Sequence, residues 1–253
     1  MERKEFPIIE FDESRISFIE PSLINKKYPK LPKSLIICFF KEIIDTLLKN
    51  NEIHLSFTIE GENDYVFYVF NDYDCAIIHG HVGGPSCGGL LEEAIALGVE
   101  KVMFCGGGGA LRSDIVVGRM IIVDSAIRDE GTSYHYLKPS REVTANKEVN
   151  SIIETYLKNH HIDYLLGKVW TTDAFYRETM QRVALRKEEG CLLVEMEQAS
   201  LLAISQFRNI KYGAIIYGGD DLSKTVWDNR DWASREDVRI NLMRICLDIV
   251  ISL

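Results

Sequence analysis

The chain has 253 residues, of which 46% are hydrophobic and 26% are charged, and its formal net charge is −9. This length and composition fit one globular domain with a sizeable buried core. The acidic balance argues against a general nucleic-acid or membrane-surface binder, because such a chain repels polyanions over most of its surface. No apolar run near the start approaches the roughly 20 residues that a membrane-spanning helix needs.

The start of the chain and the cysteine pattern favour a cytoplasmic protein. Residues 1–15 form an N-terminal extension of mixed acidic and apolar character, without the long hydrophobic segment of a secretory signal. The six cysteines include no Cys-x-x-Cys pair, and a chain of this size does not need disulfides. We therefore interpret the cysteines as small buried hydrophobic residues.

Helices and strands alternate along most of the predicted chain. Helical spacing of apolar residues covers 34–49, and the aromatic and β-branched run at 65–70 predicts a strand. The further predicted strands are 74–79, 101–105, 118–124, 166–171, 190–195 and 210–217. The further predicted helices are 86–97, 146–159, 197–207 and 234–252. This alternation predicts a single α/β domain over residues 1–253, with ligands at the loops that follow the strands.

Two glycine-rich segments follow predicted strands. The first, Gly80 to Ser86, stands directly before the helix predicted at 86–97, and the second, Gly106 to Gly109, has four consecutive glycines. Glycine lets the backbone approach a ligand closely, and free amides at a helix start favour an anion. For the first segment this geometry suits an anion, but on its own it is more typical of a strand-to-helix turn that needs glycine for packing. We predict that the second segment contacts a ligand, with a flexible loop as the alternative.

Acidic side chains follow two later strands. Glu197 can accept hydrogen bonds from vicinal sugar hydroxyls while the preceding Met196 packs on the sugar face. The alternative for Glu197 is a helix N-terminal acid stabilised by the helix dipole. Of the pair Asp220 and Asp221, one can serve as a general acid or base, and we expect Asp221 to cap the next turn. The segment from Trp227 to Trp232 is interpreted either as a loop that closes near the site or as an interface patch.

Taken in order, these motifs resemble the nucleoside phosphorylase-I superfamily, on its uridine and purine nucleoside phosphorylase side. The resemblance covers about residues 16–253 and rests on Gly83-Gly84-Pro85-Ser86, Gly106 to Leu111, Ile127 to Tyr136, Thr171 to Tyr176, Val194-Glu195-Met196-Glu197 and Asp220-Asp221-Leu222. It implies a central mixed, partly barrel-like sheet flanked by helices. It also implies phosphorolysis of a ribonucleoside to a free base and ribose 1-phosphate, with inorganic phosphate as co-substrate and with no metal or organic cofactor. Members are typically homo-oligomers, either dimers or hexamers.

The resemblance implies roles for particular residues. Asp220 would help to protonate the leaving base and Glu197 would hold the ribose hydroxyls, so both are predicted to be catalytic. The residues predicted to bind the sugar and the base are Glu195, Met196, Glu197, Phe175 and Tyr176. The residues predicted to bind phosphate are Gly84, Ser86, Gly106, Gly107 and Gly108.

The chain departs from this family at the arginines that hold phosphate. Leu23 and Phe104 stand where two of them are expected, and residues 16–111 contain no arginine. A bidentate arginine contact is among the stronger interactions with phosphate. Two alternatives therefore stand beside phosphorolysis: a hydrolytic nucleosidase that uses water, and a scaffold that binds a nucleoside without catalysis. The uracil-reading residues of the family are also replaced, by Thr179 and Gln181.

Overall fold

A ten-stranded mixed sheet runs through the computed structural model, which describes residues 3–253. Met1 and Glu2, the first residues of the predicted N-terminal extension, lie outside the described residues. The strands are β1 (Ser34–Cys38), β2 (Ile53–Ile59), β3 (Tyr65–Phe70), β4 (Cys75–His79), β5 (Lys101–Ala110), β6 (Met120–Asp129), β7 (Glu142–Thr144), β8 (Tyr164–Thr172), β9 (Cys191–Glu195) and β10 (Lys211–Asp221). The helices are α1 (Lys41–Lys49), α2 (Gly84–Ala96), α3 (Lys147–Asn159), α4 (Met180–Glu188), α5 (Gln198–Arg208) and α6 (Glu236–Ser252).

Five of the strands close into a barrel. One edge of β5 pairs with β10, while its other edge pairs first with β1 and then, at Gly109 and Ala110, with β9. From β9 the order continues through β8 and β6 back to β10. The sheet extends beyond the barrel from β1 through β4 and β3 to β2. The predicted fold class, an α/β domain with a mixed and partly barrel-like sheet flanked by helices, is confirmed.

Helices cover both faces of the central strands. All five residues of β1 are buried, and they alternate between two apolar cores: Leu35 and Ile37 pack in one, and Ile36 and Cys38 in the other. The first core is completed by α2 and α5, and the second by α1, α3 and α6. Each fully buried leucine or isoleucine contributes about 1.5–3 kcal/mol through removal from water. All six cysteines are free and buried, which confirms their interpretation as hydrophobic residues.

Several predicted elements differ from the structure. The helix predicted at 34–49 is wrong over its first residues, because 34–38 form β1 and α1 begins only at Lys41. An apolar run of this kind is equally typical of a strand buried on both faces, and periodicity alone does not separate the two. The glycines at 106–109 are not a loop, because they continue β5 as far as Ala110. Strands β2 and β7 and helix α4 were not predicted.

Candidate active site

A cavity of about 620 Å³ lies where β5, β9 and β10 reach their carboxyl ends, beside the turn that follows β8. It is lined by Gly107, Gly108, Gly109, Phe175, Tyr176, Glu178, Val194, Glu195, Met196, Asp220, Leu222, Trp227 and Trp232. The structure thus brings together all of the predicted sugar- and base-binding residues except Glu197. Of the predicted phosphate-binding residues, Gly107 and Gly108 lie on the wall, whereas Gly84, Ser86 and Gly106 do not.

Glu195 joins the end of β9 to the start of α5. One carboxylate oxygen accepts hydrogen bonds from the backbone N–H groups of Glu197, at 2.6 Å, and Gln198, at 2.7 Å. The other oxygen accepts from the hydroxyl of Thr171, which itself accepts from the backbone N–H of Ala199 at 2.9 Å. These bonds satisfy amides that a helix start leaves free. Burial, followed by the neighbouring Glu197 carboxylate, raises the pKa of Glu195.

Glu197 is buried behind the cavity wall and is tied to the first glycine-rich turn. Its carboxylate accepts a hydrogen bond from the backbone N–H of Gly83 at 2.7 Å. Gly83 has φ of 91°, a left-handed conformation that favours glycine, and it directly precedes α2. Burial raises the pKa of Glu197, and the hydrogen bonds from Gly83 and Met196 oppose that rise. A side chain at Gly84 would collide with the hydroxyl of Ser200 on α5, so this turn also needs glycine for packing.

Ser86, the last residue of the same turn, faces a histidine rather than the cavity. Its hydroxyl lies 3.2 Å from Nδ1 of His81. The ring of His81 stands 5.1 Å from that of Tyr65, whose own hydroxyl donates to the carbonyl of Ser86 at 3.3 Å. Ser86 is therefore held by a local cluster at the start of α2.

Two carboxyl groups and an indole meet on the cavity wall. Asp220 accepts a hydrogen bond from Nε1 of Trp227 at 2.6 Å, and burial raises its pKa. Burial, reinforced by the charge of Asp220, raises the pKa of Glu178 to about 7. Sequence reasoning missed Glu178; its only signal was an acid three residues after Phe175. The rings of Phe175 and Tyr176 stand 4.1 Å apart on the same turn.

The acid next to Asp220 has a structural role. Asp221 is fully buried and accepts a hydrogen bond from the backbone N–H of Ser223 at 2.8 Å, which confirms the predicted cap of the next turn. It also forms an ion pair with Arg230. Burial raises the pKa of Asp221, but its hydrogen bonds to Ser223 and the charge of Arg230 outweigh burial and lower it overall.

The segment from Trp227 to Trp232 closes one side of the cavity. Both tryptophans lie on its wall, which confirms the interpretation of this segment as a loop near the site. The Trp232 ring packs so closely on β5 and β10 that a Cβ added at Gly107 would lie 3.2 Å from it and one added at Gly219 would lie 3.4 Å from it. The glycines of β5 and β10 therefore make room for the indole.

The cavity wall is acidic and leaves one strand edge open. Within residues 3–253, the side chains on this wall include three carboxyl groups and no lysine, arginine or histidine. The edge of β5 pairs with β1 as far as Cys105 and with β9 from Gly109, so Gly106–Gly108 have no strand partner on that edge among the described residues. Successive residues of a strand face opposite edges, and the carbonyl of Cys105 accepts from Phe39 on the β1 side, so Gly107 is the residue whose backbone N–H faces the open edge.

Two further features concern metals and membranes. In the part of the chain that the structure describes, no three His, Cys, Asp or Glu side chains are arranged to hold a metal ion. None of the helices within residues 3–253 combines the length and the apolar character that a membrane span requires.

This fold and site define a known class of protein. The structure aligns with uridine phosphorylase from Vibrio fischeri at a TM-score of 0.73 and 19% identity, covering 90% of this chain and 95% of that one. It also aligns with AMP nucleosidase from Bacteroides thetaiotaomicron at a TM-score of 0.68 and 18% identity. This alignment covers 86% of this chain and 90% of that one. The family model of the phosphorylase superfamily matches residues 33–250, and the chain belongs to that superfamily.

The chain is also similar in sequence to a nucleoside phosphorylase. The guanosine phosphorylase of Halorubrum lacusprofundi is 30% identical over 148 residues, which make up 58% of this chain and 61% of the relative. The matched part thus spans about three fifths of that relative's length.

Proposed function

We propose that the protein cleaves the N-glycosidic bond of a ribonucleoside by phosphorolysis, giving a free base and ribose 1-phosphate. The observation that carries the proposal is the convergence at one cavity of Glu195 at the end of β9, Met196 directly after it, Asp220 on β10 and Phe175 after β8. The breaking bond leaves positive charge on the sugar, and carboxylates fixed in a partly water-excluded site stabilise that charge. The enzyme would therefore be a pentosyltransferase acting on a small nucleoside.

The two ends of the cavity suit the two halves of such a substrate. Met196 and the buried Glu197 behind it would hold the ribose, because a carboxylate accepts hydrogen bonds from vicinal hydroxyls. The ring of Phe175 would stack on the base, with Asp220 against its edge. An acid whose pKa is raised by burial retains a proton nearer neutral pH, so Asp220 is suited to protonate the leaving base. These roles require neither a metal nor an organic cofactor.

The open edge of β5 is the best place for phosphate. The backbone N–H of Gly107 points to this edge and can donate to an anion, and Gly106–Gly108 lack side chains that would block the approach. This edge faces the gap between the ends of β1 and β9.

A specific observation also supports hydrolysis as the second candidate. The ring of Phe39, directly after β1, stands 5.0 Å from that of Phe104 within β5, and Phe39 leaves no room for a side chain at Gly80. Apolar rings cannot replace the charge of arginine. Since a nucleosidase also shares this fold, water would then take the place of phosphate.

The experiment that separates the candidates is a panel of purine and pyrimidine ribonucleosides, incubated with the protein in phosphate-containing and phosphate-free buffer. Free base and sugar product are measured by chromatography. Base release that needs phosphate and yields ribose 1-phosphate supports phosphorolysis, whereas free ribose without phosphate supports hydrolysis. If no nucleoside in the panel releases base while the protein still binds one, the non-catalytic scaffold is the better reading.

A further inference from the structure

A second cavity adjoins the candidate active site. It has a volume of about 400 Å³, within the range of about 300–1,000 Å³ that is typical of small-molecule sites. We name it the side chamber, and its walls are formed by Glu178, Met180, Val183, Ala184, Lys187, Leu222, Ser223, Lys224, Thr225 and Trp227. Three of these residues, Glu178, Leu222 and Trp227, also line the active-site cavity. The two spaces therefore meet at a common partition.

The side chamber has apolar and charged walls. Its apolar wall is made by Met180, Val183 and Ala184 on α4 together with Leu222, and the surfaces of Met180 and Ala184 are exposed to water. On the charged wall, the ammonium group of Lys187 donates to the carbonyl of Ser223 at 3.0 Å. Apolar surface of this kind is stabilised when a ligand group removes it from water.

The partition stands at the base end of the active site. The indole of Trp227 is held there by its hydrogen bond to Asp220, yet 60% of this residue remains exposed. The carboxyl group of Glu178 accepts no hydrogen bond within residues 3–253. Within the described residues, no hydrogen bond joins Glu178 to Trp227 across the partition.

We propose that the substrate is a purine ribonucleoside whose exocyclic nitrogen carries an apolar substituent, and that this substituent occupies the side chamber. This inference rests on the proposed function, because it takes Phe175 and Asp220 as the base site. In a purine, the exocyclic group at C6 projects next to N7, on the edge opposite the glycosidic bond. A base that offers N7 to Asp220 therefore directs its C6 substituent towards Glu178, Trp227 and the chamber behind them.

The test compares adenosine with N6-benzyladenosine in the wild type and in two variants. Ala184→Trp places an indole on the apolar wall of the chamber, and Leu185→Trp places the same ring on the same helix outside both cavities. We expect kcat/KM for the benzyl compound to exceed that for adenosine at least about tenfold in the wild type, as a filled apolar pocket gives. Ala184→Trp should abolish this preference and leave adenosine cleavage within about twofold, whereas Leu185→Trp should retain the preference.

A binding measurement keeps this inference separate from the proposed function. Quenching of tryptophan fluorescence reports the dissociation constants of adenine and N6-benzyladenine, because Trp227 lines both spaces. We expect the wild type to bind N6-benzyladenine more tightly than adenine, and Ala184→Trp to lose this difference. That result supports a ligand site in the side chamber even if no nucleoside is cleaved. Equal dissociation constants, equal kcat/KM values in the wild type, or a preference that survives Ala184→Trp would each overturn the inference.

Discussion

Glu195 and Glu197 lie two residues apart, yet their carboxylates accept different sets of hydrogen bonds. The carboxylate of Glu195 is occupied by two amides of α5 and by Thr171, so it holds elements together. Within the described residues, Glu197 accepts hydrogen bonds only from the backbone N–H groups of Gly83 and Met196, and it keeps acceptor capacity for a ligand. Of the two, Glu197 is therefore the better candidate for recognition of the ribose.

Replacing Glu197 by glutamine tests this assignment. The amide oxygen can still accept from Gly83, so the fold should persist, but the negative charge that stabilises a cationic sugar is lost. We expect kcat/KM to fall about 100-fold or more, the size of effect that follows loss of one preorganised electrostatic contact. Initial rates of base release measure the effect, and the circular dichroism melting curve controls for folding. A rate within about threefold of the wild type would rule out the ribose assignment.

Asp220→Asn separates proton donation from binding. Asparagine can still accept the hydrogen bond from Trp227 but cannot supply a proton. We expect cleavage of purine nucleosides to fall about 100-fold and cleavage of pyrimidine nucleosides to change much less, because only the purine would be protonated at N7 by this residue. Rates on matched purine and pyrimidine ribonucleosides provide the measurement. Equal losses on both would remove the proposed role.

The raised pKa of Glu178 predicts a pH-dependent cost in stability. Because the folded pKa of about 7 lies above the ordinary 4.5, the stabilisation by the protonated carboxyl is complete below about pH 4.5 and is lost as the pH rises through 7. Glu178→Gln imitates the protonated form. Its gain in unfolding free energy over the wild type should grow by about 1 kcal/mol between pH 5 and pH 8, after allowance for solvent screening.

Urea unfolding at both pH values measures this difference. Glu188→Gln is the matched control, since it removes an exposed carboxylate at the end of α4, the helix that begins two residues after Glu178. The control should change stability equally at the two pH values. A Glu178→Gln gain that does not vary with pH would contradict the assigned pKa.

At the scale of elements, local sequence pattern predicted those that carry their own signal. Helix α3 and strands β3, β4 and β9 follow their periodicity closely. Helix α4 was not predicted because it is short and polar. It also buries Arg186 through ion pairs with Asp129 and Glu189, and no local sequence pattern indicates these pairs. Edge strand β2 was not predicted because three consecutive residues, 54–56, are exposed and break the alternation of buried and exposed positions.

The residues of the candidate site also divide into those that a local sequence pattern predicts and those that it does not. Glu195, Met196 and Asp220 could be predicted because acids and a methionine follow recognisable strands. Glu178 could not, since it follows a short 3-10 turn, Phe175–Arg177, and gains its position only from tertiary packing. The contact between Gly83 and Glu197 joins residues 114 positions apart in the chain, and only the closed fold brings them together.

The glycine run of β5 yields a prediction about barrel closure. A Cβ added at Gly108 would lie 2.8 Å from the carbonyl oxygen of Val194, so Gly108→Ala must displace β9. We expect a loss of about 2 kcal/mol in unfolding free energy, within the range for overpacked sites, and a fall in activity because Glu195 follows Val194. Denaturant unfolding and base-release rates measure both.

The control for this prediction is Gly61→Ala in the turn between β2 and β3. Its nearest neighbour would stand 3.7 Å away, which is an ordinary contact. We expect this variant to stay within about 0.5 kcal/mol of the wild type and to keep full activity. If the two alanine variants behaved alike, close packing of β5 on β9 would not explain the glycine.

At the scale of the whole molecule, the barrel depends on pairing between β5 and β10, which lie about a hundred residues apart in the chain. The other edge of β5 pairs with β1 as far as Cys105 and with β9 from Gly109. This leaves the edge at Gly106–Gly108 open. The family resemblance anticipated a barrel-like sheet, but neither this closure nor the open edge could be derived from local periodicity.

The rim of the active site predicts self-association. Tyr176 is 88% exposed, Val226 is 74% exposed, and both stand beside the exposed Phe175 and Trp227. A monomer rarely leaves large apolar side chains grouped in this way, and grouped exposure marks a contact surface. We therefore expect a homo-oligomer, with a mass in solution that is a multiple of 28.9 kDa and a partner that covers the cavity mouth.

Val226→Asp tests that surface without touching the cavity wall, because Val226 is not one of its lining residues. A buried and unpaired charge is costly, so this variant should shift the protein towards monomer in light scattering coupled to size-exclusion chromatography. Base release should fall with it, since the mouth would then lie open to water. Leu55→Asp on edge strand β2, at the far end of the sheet, is the control and should leave both mass and activity unchanged. A wild-type protein that is monomeric at every concentration would show that the rim serves the substrate alone.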